Sequence, residues 1–143
     1  MLLQDKVVFI VEDNLQNRVV FQMILMRHGA RVEFDRWGRD TLSRLKSLKQ
    51  VDAIVLDLSL SLGISGYDVF DEIRADPQLG QIPIVAVSAG EPAIAIPLTQ
   101  KKGFNGFIAK PIDDDRFPRQ LETIIGGGTV WDAGGFAAGE PFL

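Results

Sequence analysis

Four short apolar runs, each ending at a polar residue that can do chemistry, constrain this chain more than any other feature. Val7-Val8-Phe9-Ile10-Val11 ends at Glu12-Asp13, Ala53-Ile54-Val55-Leu56 at Asp57, Ile84-Val85-Ala86-Val87 at Ser88, and Phe107-Ile108-Ala109 at Lys110-Pro111. Continuous apolar runs of this length, separated by helix-length segments, read as strands of a parallel sheet buried on both faces. In such sheets ligands bind beyond the carboxyl ends of the strands, near the point where strand order reverses. Three carboxylates, a hydroxyl and an ammonium would therefore share one sheet edge. That set suits a divalent cation and a phosphoryl group.

The intervening segments support the pattern. Residues 14–28 carry Val19, Val20, Met23, Ile24 and Met26 at mostly helical spacing, with Arg27 and His28 where cations favour a helix C-terminus and Gly29 as the cap. Arg31-Val32-Glu33-Phe34 alternates like a strand nearer the sheet edge, and residues 38–49 space Leu42, Leu45 and Leu48 like an amphipathic surface helix. Tyr67, Val69, Phe70 and Ile73 give one face of a third helix, stopped near Asp76-Pro77. Pro92 and Pro97 are hostile to a regular fourth helix, which is expected to be short, late-starting or distorted. Asp113, Asp114 and Asp115 crowd the start of a fifth helix, where carboxylates cap free N–H groups; Pro118 is tolerable only if that helix starts at the later of them.

The expected architecture is α/β: a doubly wound, five-stranded parallel sheet flanked by helices, flavodoxin-like in its (βα)5 order. The domain is expected over residues 1–125, with 126–143 a Gly-rich flexible tail, although Trp131, Phe136 and Phe142 are unusual for a linker. A length of 143 residues fits one domain. The net charge of -4 argues against non-specific nucleic-acid binding, which needs clustered Lys and Arg. No apolar stretch approaches the ~18 residues of a membrane span, and the first strand begins too early to leave room for a signal peptide. The absence of Cys excludes disulfides and thiolate chemistry and mildly favours the cytoplasm.

Asp57, alone at the end of a central strand, is a candidate nucleophile, because carboxylates can form acyl phosphates. Its charge would repel a phosphoryl donor unless a cation intervenes. Mg²⁺ prefers oxygen ligands and needs only one or two protein carboxylates, so Asp13 and Asp57 are expected as direct ligands and Glu12 as a ligand directly or through water. Lys110 supplies a compact cation for phosphoryl oxygens and Ser88 a hydroxyl. A tight turn at Lys110-Pro111 would suit a cis bond. Each residue also has a plainer reading, as a cap, a turn residue or a solvated charge. Their shared position after four neighbouring strands makes independent accident a poor account.

The order and spacing of Val11-Glu12-Asp13, Asp57, Ser88-Ala89 and Lys110-Pro111 resemble the response-regulator receiver domains of two-component signalling, over about residues 5–125. The resemblance implies that Asp57 accepts a phosphoryl group from a histidine kinase or phosphotransfer protein. It implies Mg²⁺ held by Glu12, Asp13, Asp57 and the Ser59 backbone carbonyl. Ser88 with Ala89, and Phe107, would be the switch positions, and Ser59 and Gly90 would influence how long the acyl phosphate survives. The protein would be a cytoplasmic phosphoacceptor rather than an enzyme acting on other substrates. Its downstream partner would be an unidentified protein, with homodimerisation left open and no nucleic acid or membrane involved.

Three departures stand out. Ser61 occupies the usual proline position and Gly66 falls one residue late, so the 58–65 loop is one residue longer; the 91–97 segment is atypical; and Phe107 lacks a hydroxyl. The altered loop and the proline-rich fourth helix favour a second reading, a receiver-like interaction module that works without phosphate, which the complete acidic, hydroxyl and lysine set opposes. An aspartyl phosphatase of the haloacid dehalogenase type would want a second Asp where Ser59 stands. A flavodoxin-like electron carrier would want a phosphate loop where Glu12 and Asp13 would repel it.

Overall fold

The computed structural model of the protein describes residues 1–35, 40–60 and 63–134. In chain order the elements are β1 (Val7–Val11), α1 (Leu15–Arg27), β2 (Arg31–Asp35), α2 (Thr41–Ser47), β3 (Ala53–Asp57) and α3 (Gly66–Ala75). They continue with β4 (Ile84–Ser88), α4 (Pro92–Lys102), β5 (Gly106–Ala109), α5 (Arg116–Ile125) and β6 (Val130–Asp132). All strand pairs are parallel, in the order β2-β1-β3-β4-β5-β6. Order reverses between β1 and β3, whose carboxyl ends carry Glu12 and Asp57.

Alternation along the buried strands divides the core in two. Val8, Ile10, Val55, Val85, Val87 and Ile108 pack under α1 and α5, where Phe21 meets Phe117 with ring centroids 5.4 Å apart. Phe9, Val11, Ile54, Leu56, Ala86 and Phe107 pack under α2, α3 and α4, and Phe70 stacks on Phe104 at 4.0 Å. Both sheet faces are covered, which is why the strands read as continuous apolar runs rather than alternating ones. Among the described residues no helix is long and apolar enough to cross a membrane.

Several elements differ from expectation. The sheet has six strands, not five. Val130–Asp132, placed by composition in a flexible tail over 126–143, pairs with β5 because Trp131 and Val130 find apolar ground on opposite faces of the sheet. Residues 135–143 lie outside the described set. The fourth helix is neither late nor short. Pro92 occupies its first turn, where no intrahelical N–H is needed, and Pro97 lies on its exposed side. The buried Thr99 hydroxyl donates to the Ala95 and Ile96 carbonyls at 2.8 and 3.0 Å, adding bonds in the turn next to the one that Pro97 weakens.

The second helix is confined to Thr41–Ser47, since Leu48 is extended; Gly38 and Arg39, expected within it, fall outside the described residues. In α1 the buried positions are Phe21, Ile24 and Leu25, whereas Val19, Val20, Met23 and Met26 face outward. The fifth helix starts at Arg116, which leaves Pro118 in its first turn. Asp113 Oδ1 accepts from the Asp115 and Arg116 amides at 2.9 Å each, as the acidic run suggested.

Candidate functional site

The strand ends bring Glu12, Asp13, Asp57, Ser88 and Lys110 to one edge of the sheet. Glu12 is held where it stands by its own amide, which donates to the Asp35 carbonyl at the end of β2 (3.1 Å). Asp35 in turn accepts a hydrogen bond from the Thr41 hydroxyl, so the end of β2 is tied to the start of α2. Asn14 caps α1 by accepting from the Asn17 amide at 2.9 Å, and its own amide donates to Glu12 Oε2 at 3.2 Å. The first acidic pair is therefore fixed by a helix cap on one side and a strand on the other.

Lys110 reaches back across the sheet edge. Its ammonium lies 2.9 Å from Glu12 Oε1 and 3.3 Å from Asp57 Oδ2. The Ser59 amide donates to the other Asp57 oxygen, Oδ1, at 2.9 Å. Ligand atoms of Glu12, Asp13 and Asp57 all fall within 4.8 Å of one another. Glu12 is 2% exposed and Asp57 7%. Lys110 thus meets two members of a three-carboxylate cluster in a partly dry pocket. At an effective dielectric of ~20, two such charges ~4 Å apart interact by about 4 kcal/mol.

The protonation preferences follow this imbalance. Burial pushes the Glu12 carboxyl above the ordinary glutamate value, and Asp57 adds to the rise. The Lys110 hydrogen bond and the Asn14 amide oppose it without cancelling it. Burial alone would lower Lys110, but Glu12 and Asp57 together outweigh it and hold the ammonium above the usual lysine value. The rise at Glu12 is chiefly the effect of burial, whereas the rise at Lys110 reports the carboxylates around it. Three all-oxygen donors at this separation fit a Mg²⁺ ion, whose ligands stand ~2.0–2.1 Å from the metal. Glu12 and Asp57 are engaged alike, each giving one oxygen to Lys110 and the other to a backbone amide, that of Asn14 and of Ser59 respectively.

Ser88 is buried, and its hydroxyl oxygen accepts from the Gly90 amide at 2.9 Å. The Lys110 amide donates to the Ser88 carbonyl at 2.8 Å, which locks the ends of β4 and β5 together. The Lys110–Pro111 bond is cis. Ala89, Lys110 and Pro111 line a cleft of about 350 Å³ against Asn17, Val20 and Phe21 of α1. Phe107 is wholly buried in the core under α4 and does not line the acidic pocket. Ser59 touches the pocket through its amide.

The longer 58–65 loop leaves the pocket's frame intact, for a reason that only the structure supplies. A Cβ on Gly66 would stand 2.2 Å from the Asp57 carbonyl oxygen, so the start of α3 presses against the backbone of Asp57. Ser59 pairs with Ser65, and the Leu60 amide donates to the Ile64 carbonyl at 3.2 Å, which ties the two ends of this segment together ahead of Gly66. Ser61, at the position where proline is usual, lies outside the described residues. Sequence reasoning also missed Asn14, although Asn directly before an apolar-periodic segment is a cap signal, and the tether from Thr41 to Asp35.

Comparison with known proteins agrees with this geometry. The family model of the response regulator receiver domain matches residues 8–122. The two-component response regulator ORR12 of Oryza sativa subsp. japonica is 32% identical over 117 residues, which span 82% of this chain and 96% of the relative. The polar-differentiation response regulator DivK of Brucella ovis is 29% identical over 121 residues, spanning 85% and 97%. Among solved structures, the receiver domain of sensor histidine kinase PA1611 from Pseudomonas aeruginosa PAO1, with a magnesium ion coordinated in its active site cleft, superposes with a TM-score of 0.75. It shares 29% identity over 86% of this chain and 99% of that one. The chemotaxis response regulator CheY4 of Vibrio cholerae shares the fold at a TM-score of 0.76 and 20% identity, over 85% and 99%.

Fold and site together define a receiver module of two-component signalling. The chain belongs to the response regulator receiver domain family.

The charge imbalance yields a test. Removing Lys110 deletes the charge and hydrogen bond that hold Glu12 down, so the Glu12 carboxyl rises further above its ordinary value. A folded state that binds protons more tightly than the unfolded one gains stability as pH falls. Lys110→Ala is expected to lose about 3–5 kcal/mol near neutrality, as loss of one partner from a buried ion cluster does. Urea denaturation should show it recovering stability as pH is lowered toward the ordinary glutamate value. A variant that weakens further on mild acidification would contradict this.

Proposed function

We propose that the protein accepts a phosphoryl group on Asp57 from a phosphohistidine of a histidine kinase or phosphotransfer protein. The observation that carries this reading is the pairing of Asp57 with Lys110 inside an acidic pocket that needs a divalent cation. An Asp57 carboxylate oxygen attacks phosphorus, the P–N bond breaks, and the imidazole nitrogen leaves with the electron pair. The new O–P bond is that of an acyl phosphate. Lys110 then has phosphoryl oxygens as partners in place of Asp57 Oδ2, the Ser59 amide continues to orient the other Asp57 oxygen, and Ser88 donates its hydroxyl proton to a phosphoryl oxygen.

Mg²⁺ held by Asp13 and Asp57, with Glu12 behind them and the Ser59 carbonyl completing the set, would neutralise charge on the carboxylates and the phosphoryl group. Hydrolysis of the acyl phosphate returns the carboxylate. The protein is thus a cytoplasmic phosphoacceptor whose only chemistry is on itself, and the added charge alters the surface it shows to a downstream protein.

Treatment with a small phosphodonor and Mg²⁺ should add one phosphoryl group to the intact mass, and Asp57→Asn should remove that addition. An unchanged mass in the correctly folded wild type would overturn the reading.

The phosphodonor must approach over the cleft between α1 and Lys110. Beside that cleft α1 shows Leu15, Val19, Val20, Met23 and Met26, each 45–65% exposed, as an apolar strip on its outer side. Strips of this kind mark protein contacts, and the occupant proposed here is the protein that donates the phosphoryl group. Met23→Glu is expected to slow transfer from that protein by roughly tenfold, the effect of losing a central contact residue. Labelling by the small phosphodonor should be untouched. Equal rates from the donor protein would rule the strip out.

A further inference from the structure

β6 lies beyond the segment that matches the receiver family, which ends at residue 122, yet it is built into the sheet in detail. Its register places Val130 beside Gly106, Trp131 beside Phe107 and Asp132 beside Ile108. A Cβ on Gly106 would come 2.6 Å from the Val130 carbonyl oxygen, so β5 carries glycine where β6 approaches most closely. Trp131 is half-buried against the core under α4, which contains Phe107 and Ala109. Asp132 fastens the strand to α5. Its Oδ2 accepts from Gln120 Nε2 at 2.8 Å and lies 3.4 Å from Arg116 Nη2, while Oδ1 accepts from the Gly134 amide at 2.9 Å.

The parallel direction decides where this attachment ends. β6 finishes on the same edge of the sheet as Asp57. Gly134, at φ +74°, turns against Ala109, whose Cβ would stand 3.1 Å from a Cβ on that glycine. Ala109 is the residue before Lys110 and is paired with Ser88 in the ladder. The last turn of the described chain therefore rests on the link between the two groups that must change partner when Asp57 carries a phosphoryl group.

β6 has the makings of a releasable element. It is three residues long, half-buried throughout, and tethered through Gly126-Gly127-Gly128. Short elements with little buried surface open at low cost.

We infer that β6 is an intramolecular occupant of the β5 edge, docked by Trp131 and Asp132 when Asp57 is unmodified and loosened when Asp57 is phosphorylated. The coupling runs through Ala109. β6 approaches β5 closely at Gly106, and Gly134 lies against Ala109, so a shift of the β4 and β5 ends as Lys110 and Ser88 turn toward phosphoryl oxygens disturbs the seat of β6. Release bares the β5 edge and the ground covered by Trp131 as a new surface. Thermodynamic linkage makes the effect reciprocal: undocking β6 must favour the state that binds the phosphoryl group. This inference rests on the phosphoacceptor reading.

The test uses the full chain. In Trp37→Phe protein, Trp131 is the sole tryptophan. Beryllium fluoride with Mg²⁺, as a phosphoryl mimic, should move its emission to longer wavelength and increase quenching by acrylamide. Asp57→Asn should abolish both changes. The double variant Trp131→Ala with Asp132→Ala, folded by circular dichroism, should bind beryllium fluoride at least ~5-fold more tightly, the lower end of ordinary allosteric coupling. Bound mimic with unchanged Trp131 emission, or equal affinity in the double variant, would overturn the inference while leaving the phosphoacceptor reading standing. Failure of any phosphoryl group or mimic to bind wild type would overturn both.

Discussion

The ammonium of Lys110 is the point on which the site depends. It arrives from the last strand of the matched domain and lies within 3.3 Å of two carboxylates that belong to the first and third strands. Without a cation there, Glu12 and Asp57 would be buried like charges, a state that proteins avoid by protonation or unfolding. Among the described residues the one ammonium paired here meets two of three clustered carboxylates, so the pocket is stable enough to form and still electrostatically incomplete. The proposed function turns on that incompleteness, which Mg²⁺ and, through the metal, a phosphoryl group would meet.

The rest of the fold holds that ammonium and those carboxylates in reach of one another. Parallel strands buried on both faces fix where each run ends, and the ladder between Ser88 and Ala109 sets Lys110 at the height of Asp57. Gly66 lets the start of α3 press on the Asp57 carbonyl, and the Ser59 amide turns the carboxylate toward the pocket. The same ladder that places Lys110 also supports β6. One strand thus serves the chemistry on one side and an added strand on the other.

Much of this could be read from residue order. A strand buried on both faces has to be apolar until it reaches the sheet edge, so the first polar residue marks the edge. Glu12, Asp57, Ser88 and Lys110 were legible for that reason. Backbone groups leave no such mark: the Ser59 amide and the room that Gly66 makes depend on distances. Pro97 misled because propensity scales describe an isolated helix, whereas α4 exposes Pro97 to solvent and gains bonds from the Thr99 hydroxyl. Composition misled again after Gly126, where three glycines read as linker and hid a strand whose one clear signal was an aromatic residue, Trp131.

The central claim is that Asp57 forms an acyl phosphate within this pocket. Borohydride reduction of the phosphorylated protein, followed by peptide mass spectrometry, tests it directly, because the reagent converts an aspartyl phosphate to homoserine and leaves free carboxylates alone. The structure predicts homoserine at position 57, formed only when Mg²⁺ was present during phosphorylation. Homoserine absent from position 57 in protein shown to carry a phosphoryl group would contradict the account.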